Sequence, residues 1–210
     1  MTLLPFYVSI EKFKQFDDAL SSLKACLVIR RQILGLSHVD VAKTLRELGN
    51  VHRAKGHYQY SLSCFKECLR IMSNDVEAKD DINIAHILKD VSETLIQQDK
   101  LNQASYCLSE ATEIYNSQNH NNQHLGKCFG LLGHVYSSRG DISSATQYYE
   151  LSIVSFLKNP PQGKRLDVEA NILFFPSILH ACATMHEISG NEAAATKKYI
   201  SKFVLILPKR

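Results

Sequence analysis

Tryptophan is missing from the 210 residues, and proline occurs only five times. So few chain breakers leave room for long helices. None of the six cysteines forms a CxxC pair, so the usual spacing of zinc and dithiol sites is absent. Glycine-rich phosphate loops are also missing, since Gly130-Leu131-Leu132-Gly133 falls inside a helical pattern. Charge is close to balanced, +3 from 24 basic and 21 acidic side chains, which does not by itself argue for nucleic acid or a membrane surface. The apolar stretch Leu3 to Ile10 lacks the basic start and small-residue cleavage site of a signal peptide, and Phe203 to Leu207 is far too short to cross a bilayer. A soluble, cytoplasmic protein is expected, with no nucleic-acid or membrane partner. Cysteines in small-residue packing slots, notably Cys26 and Cys68, behave as small buried hydrophobes and suit a reducing compartment.

What the chain does contain is a recurring code. The stretch from Leu27 to Ile71 reads as a helix end, a loop, a helix, a tight turn at Lys55-Gly56-His57 and another helix. Small residues stand where two helices must touch, with larger apolar residues three, four or seven places apart around them. The small residue early in each second helix gives the series Ala19, Ser61, Ala104, Ala145 and Ala195, with steps of 42, 43, 41 and 50 by subtraction. A bulky residue comes four places later: Leu23, Phe65, Leu108, Tyr149 and Tyr199. First helices carry Gly49, Ser92, Gly133 and Ala183, and the turns carry Gly56, Asp99, Gly140 and Gly190. A shared period of this size predicts a stacked helical solenoid, in which no repeat buries its apolar face alone.

The run Leu132-Gly133-His134-Val135-Tyr136, with Gly140, Ala145 and Tyr149, resembles the tetratricopeptide repeat. The long spacing, with Ile29-Arg30-Arg31-Gln32-Ile33-Leu34-Gly35 and His38 to Leu45, further resembles the variety found in kinesin light chains and nephrocystin-like proteins. The resemblance implies an all-α, right-handed α-solenoid of about 4.5 helical hairpins. Residues 1–13 are expected to be a partial or capping helix, with an array over 14–206 after it and a tail at 207–210. Within the array a half repeat spans 14–34 and full hairpins span 39–73, 82–116, 124–157 and 176–206. Helices are expected at 39–54, 58–73, 82–97, 101–116, 124–138 and 142–157. The prolines at 160 and 161 account for the one long step. Pro176 either opens the next helix or kinks a longer one from Val168.

No residue set suggests catalysis, and no cofactor or metal is expected. Cys64 and Cys68 lie one helical turn apart, but Cys68 fills a packing slot. His120 and His124 sit in a polar linker without a third ligand. Function is therefore expected on the inner wall, which in this repeat family is lined by the first helix of each hairpin. The resemblance places Lys43, Arg46, Glu47, Asn50 and Arg53 there as exposed side chains, then His86, Lys89, Asp90 and Glu93, then Lys127, Leu131 and His134, then His180 and Thr184. Arg and Asn hydrogen-bond peptide backbones and carboxylates, so the expected partner is a protein or peptide segment, acidic or C-terminal in character. Charge reversal at Arg46 and Arg53 is expected to weaken capture and spare the fold. A second reading makes the chain an assembly or regulatory segment of a larger protein, self-associating through apolar array ends.

Overall fold

The computed structural model describes residues 4–74, 81–117 and 122–158, with positions 178, 180–182, 184, 185 and 188 besides. Seven helices succeed one another: α1 (Leu4–Leu34), α2 (Val39–Ala54), α3 (Tyr58–Asn74), α4 (Asp81–Gln97), α5 (Leu101–Ser117), α6 (Asn122–Ser138) and α7 (Ile142–Lys158). No strand occurs among the described residues. Within residues 1–100 and within residues 101–210, neighbours in sequence pack on one another, which is the arrangement of an α-solenoid. The chain divides into two compact units, residues 1–100 and 101–210. The linkers at 75–80, 118–121 and 159–177 and most of the expected 176–206 hairpin lie outside the described residues, so the two readings of Pro176 stay untouched.

Both ends of each of the six helices α2 to α7 fall within two residues of expectation, and the six ends that flank the three turns coincide with it because those turns are built alike. In each, a residue with left-handed backbone closes the first helix: Gly56 at φ 77°, Asp99 at 57° and Gly140 at 78°. In each, an amide bonds back to a carbonyl five residues earlier: His57 to His52 at 2.8 Å, Lys100 to Leu95 at 2.9 Å and Asp141 to Tyr136 at 3.0 Å. This is the bonding of a Schellman cap, which satisfies carbonyls the helix leaves orphaned. Aspartate tolerates that backbone better than most residues, so Asp99 serves where its counterparts are glycine.

The start of the chain differs from expectation. No break separates residues 1–13 from the half repeat at 14–34, because one helix of 31 residues runs from Leu4 to Leu34. Pro5 falls in its first turn, where a missing N–H leaves nothing unsatisfied, and no glycine interrupts the rest.

The packing code is realised as contact. A Cβ built on Gly49 would come within 2.5 Å of the Phe65 ring, and one on Gly133 within 2.6 Å of the Tyr149 ring. Both rings are buried, at 0 % and 3 % exposure. Beside them the Cys68 thiol donates to the carbonyl of Ala42 at 3.0 Å, and the Ser152 hydroxyl donates to that of Gly126 at 2.7 Å. Burial pushes the Cys68 thiol up to about 12, so it is a structural group and not a reactive one. Around these contacts Val41, Leu45, Ile71, Met72 and Ile87 complete the core of the first unit. Ile153, Phe156, Ile178 and Met185 do so in the second.

Candidate functional site

Within the first unit α2 lies against α4 as well as α3, so the polar side of α2 meets the next first helix. Arg46 of α2 donates through Nε to Asp90 Oδ2 of α4 at 2.7 Å. Further along α2, Arg53 donates to Glu93 through Nη1 and, at 3.4 Å through Nη2, to Asn50 Oδ1. Lys89 stands between the carboxylates, 2.9 Å from Asp90 Oδ1 and 3.5 Å from Glu93 Oε1. The result is a continuous lattice of three cations and two carboxylates bridging two helices.

The lattice is largely withdrawn from solvent. Only 3 % of the Asp90 side chain is exposed. Burial pushes its carboxyl up, but Lys89 and Arg46 outweigh that and hold it below the usual carboxylate range. Burial is also the main influence on Arg53, lowering its pKa, with Asp90 opposing and Arg46 assisting. The Arg53 Nε is buried without a hydrogen-bond partner. Below the charges, Thr94 Oγ1 donates to the Asp90 carbonyl at 2.9 Å and lies 3.4 Å from Ser61 Oγ of α3.

These contacts correct part of the sequence reading. Arg46 and Arg53 are half-buried and already paired, Asp90 is buried, and Lys89 is only 12 % exposed at its side chain, so these four are not a free basic patch. Reversing Arg46 and Arg53 would set a like charge against a buried carboxylate, and the fold would suffer with the binding. Lys43 and Glu47 are exposed as expected, with Lys43 bonded to Asp40 at 3.2 Å. Asn50 is half-buried and keeps its amide NH2 directed to no other group among the described residues. His86 is half-buried and has a partner within the protein.

In the second unit, Lys127 and Leu131 are half-buried and His134 and His180 are exposed. Of these four, Lys127 has an interaction partner within the protein. Thr184 bonds to the Ala181 carbonyl at 2.8 Å within its own turn. His124 stacks on Tyr115 of α5 at 5.7 Å between centroids and 16° between planes, while His120 lies outside the described residues. One polar group escaped the sequence reading: Arg30 of α1 donates to the Asp40 carbonyl at 3.0 Å and to Thr44 Oγ1 at 2.7 Å. No local signal marks Arg30, because its partners lie across a helix junction. Among the described residues there is no group of three His, Cys, Asp or Glu that could hold a metal, and no helix long and apolar enough to cross a membrane.

Comparison with known proteins agrees with this architecture. A family model described as Tetratricopeptide repeat matches residues 9–74. Comparison with curated sequences gives no match. The crystal structure of BtubC (BKLC) from P. vanneervenii superimposes at TM-score 0.67 and 17 % identity, over 95 % of this chain and 79 % of that one. A Podosopora anserina structure described as kinesin light chain with nearly identical TPR-like repeats gives TM-score 0.66 and 13 % identity, over 96 % of this chain and 92 % of that one. MamA gives TM-score 0.59 and 17 % identity, over 93 % and 90 %. At these identities the likeness is one of fold.

Proposed function

We propose that this chain, a tetratricopeptide repeat protein of the kinesin-light-chain type in fold, is a protein-binding scaffold whose α2 and α4 present a fixed wall to an extended segment of its partner. Repeats of this type serve generally as protein-interaction scaffolds without catalysis of their own. The observation that supports the wall is the lattice of Arg46, Arg53 and Lys89 with Asp90 and Glu93, which ties the two helices together before any guest arrives. A receptor already ordered loses little freedom on binding, so more of the contact energy appears as affinity.

The charge balance on that wall refines the expected guest. Three cations against two carboxylates leave a surplus of one positive charge. Lys43 adds to it at the rim, where Glu47 opposes it, so an acidic or C-terminal segment is favoured by a small margin. The Asn50 amide supplies donors for a guest's backbone carbonyl. Lys127, Leu131, His134 and His180 are assigned the equivalent role on the second unit. We place the protein in a reducing compartment, the cytoplasm, because all six cysteines are free and Cys68 is built into the helix contact as a thiol.

The test uses side chains that the fold does not need. Fluorescence anisotropy against acidic peptides with free C-termini should show Asn50→Ala and Lys43→Glu each weakening binding about tenfold, and Glu47→Lys strengthening it. Affinity indifferent to all three changes would remove the wall from the mechanism.

A further inference from the structure

The two sides of α1 are treated differently by the rest of the protein. One side packs on α2: Leu20 is buried at 8 % exposure, Leu27 rests against the first core, and Arg30 holds Asp40 and Thr44. The other side carries Ala19, Cys26, Ile29 and Ile33, spaced by seven, three and four, which is the spacing of one helical seam. Ile29 is 54 % exposed and Ile33 75 %, while Ala19 and Cys26 are half-covered. Leu36, 64 % exposed, prolongs the apolar surface into the adjoining loop.

The repeat itself says what belongs on that seam. Forty-two residues further on, by subtraction, the first three of these positions fall in α3 as Ser61, Cys68 and Ile71, exposed by 0, 0 and 1 %. What buries them is α2, with its Ala42 carbonyl on the Cys68 thiol and its Gly49 under the Phe65 ring. At α7 the positions are Ala145, Ser152 and Ser155, exposed by 0, 0 and 8 %, with Gly126 and Gly133 of α6 in the roles of Ala42 and Gly49. Both covering helices therefore carry two small residues seven places apart. For α1 no such helix exists among the described residues. Residues 4–18 continue in line with it and cannot fold back upon it.

We propose that this seam of α1 is a docking site for an amphipathic helix of a partner protein, one with glycine or alanine at two positions seven apart, seated as α2 sits on α3. The Cys26 thiol donates to the backbone carbonyl of the first small residue, and Leu23 fills the gap over the second. Ile29 and Ile33 are covered by the helix's apolar edge. A second copy of this chain is not the occupant, because the described helices with that spacing, α2, α5 and α6, already have those residues covered: Ala42, Ala104 and Ala111 are 0 % exposed, and Gly49 and Gly133 lie against the Phe65 and Tyr149 rings. The site is separate from the wall of α2 and α4 and stands or falls independently of it.

The probe is a fluorescein-labelled peptide with the sequence of residues 38–55, titrated against the full chain. Saturable binding is expected, weakened at least about tenfold by Ile29→Glu with Ile33→Glu in the protein and as much by Gly49→Leu in the peptide. Both isoleucines are exposed, so the double variant should keep the wild-type melting temperature, read by circular dichroism. Absence of saturation by about 1 mM, or binding indifferent to the double variant, would overturn the proposal. Light scattering that shows a wild-type dimer abolished by the double variant would overturn it too, in favour of a second copy.

Discussion

The hairpin of α2 and α3 and the hairpin of α6 and α7, each within its own unit, share an interior and differ in their polar faces. By subtraction 84 residues separate Gly49 from Gly133, Phe65 from Tyr149, Cys68 from Ser152 and Gly56 from Gly140. Every one of these pairs makes the same contact or the same turn. Even the cation in the turn is kept: Lys55 pairs with Asp17 of α1, and Arg139 donates to Asn102 Oδ1 of α5 at 2.7 Å. The polar positions are not kept. Arg46, Asn50 and Arg53 become Gly130, His134 and Ser137, so the two arginines that anchor the lattice of the first hairpin are not repeated at those positions of the second. Packing needs only volume and a gap, which many residue pairs supply, whereas an ion pair needs a particular opposite charge on the next helix.

The largest effect should come from the shared interior. Phe65→Ala and Tyr149→Ala remove buried rings and should each cost about 3–5 kcal/mol in urea unfolding. Gly49→Ala and Gly133→Ala, which press a methyl into the same rings, should each cost about 1–3 kcal/mol. Equal losses in the two hairpins support a common code. A glycine change tolerated in one hairpin alone would show that only the other is closely packed.

Asp90 should separate the hairpins. Asp90→Ala strands Lys89 and Arg46 and should cost about 3 kcal/mol, at the low end for a broken buried pair because Arg46 remains 28 % exposed at its side chain. Its depressed carboxyl also gives a sign with pH. The stabilisation is complete above the ordinary aspartate value near 3.8 and is lost as pH falls through the lower folded value. Hydrogen exchange at pH 6 and pH 3 should therefore show α2 and α4 losing protection that α6 and α7 keep. Equal losses in both hairpins would dissolve the contrast.

Some of this was written in the sequence and some was not. The turns were legible because Gly56, Asp99 and Gly140 punctuate strong apolar periods, and the helix contacts because small and bulky residues recur in step. The continuity of α1 was not, since a proline reads as a break unless its place in the first turn is known. Nor was the state of Arg46 and Arg53. Their partners lie 44 and 40 residues away, one repeat on, and a helix read alone shows only charges facing outward. The repeat period held the missing signal, because it sets Asp90 and Glu93 opposite those arginines with opposite sign. A smaller effect of the same kind concerns the second turn: Asp99→Gly should raise stability by up to about 1 kcal/mol by matching its two neighbours.

The smallest expected effect lies at the end of α2, where His52 occupies the position held in the other hairpin by Tyr136. Tyr136 stacks on Tyr148 at 5.2 Å and 9°, with the Arg139 guanidinium 5.5 Å from its ring centre. His52 stacks on Tyr60 at 5.5 Å and 29°, with His57 at 5.9 Å, and its Nδ1 is buried without a partner. Burial first, then the charges of His57, Lys24 and Lys55, holds its pKa below the ordinary 6.5. The folded protein thus resists protonation there more than the unfolded chain does. The contribution of His52 is full above pH 6.5 and shrinks as pH falls below it, until the folded group also takes up a proton. His52→Tyr copies the other hairpin and should flatten the stability profile between pH 7 and 5 while leaving it nearly unchanged at pH 8. Melting temperatures across that range decide the matter, and a slope that survives the substitution would show that His52 is not its source.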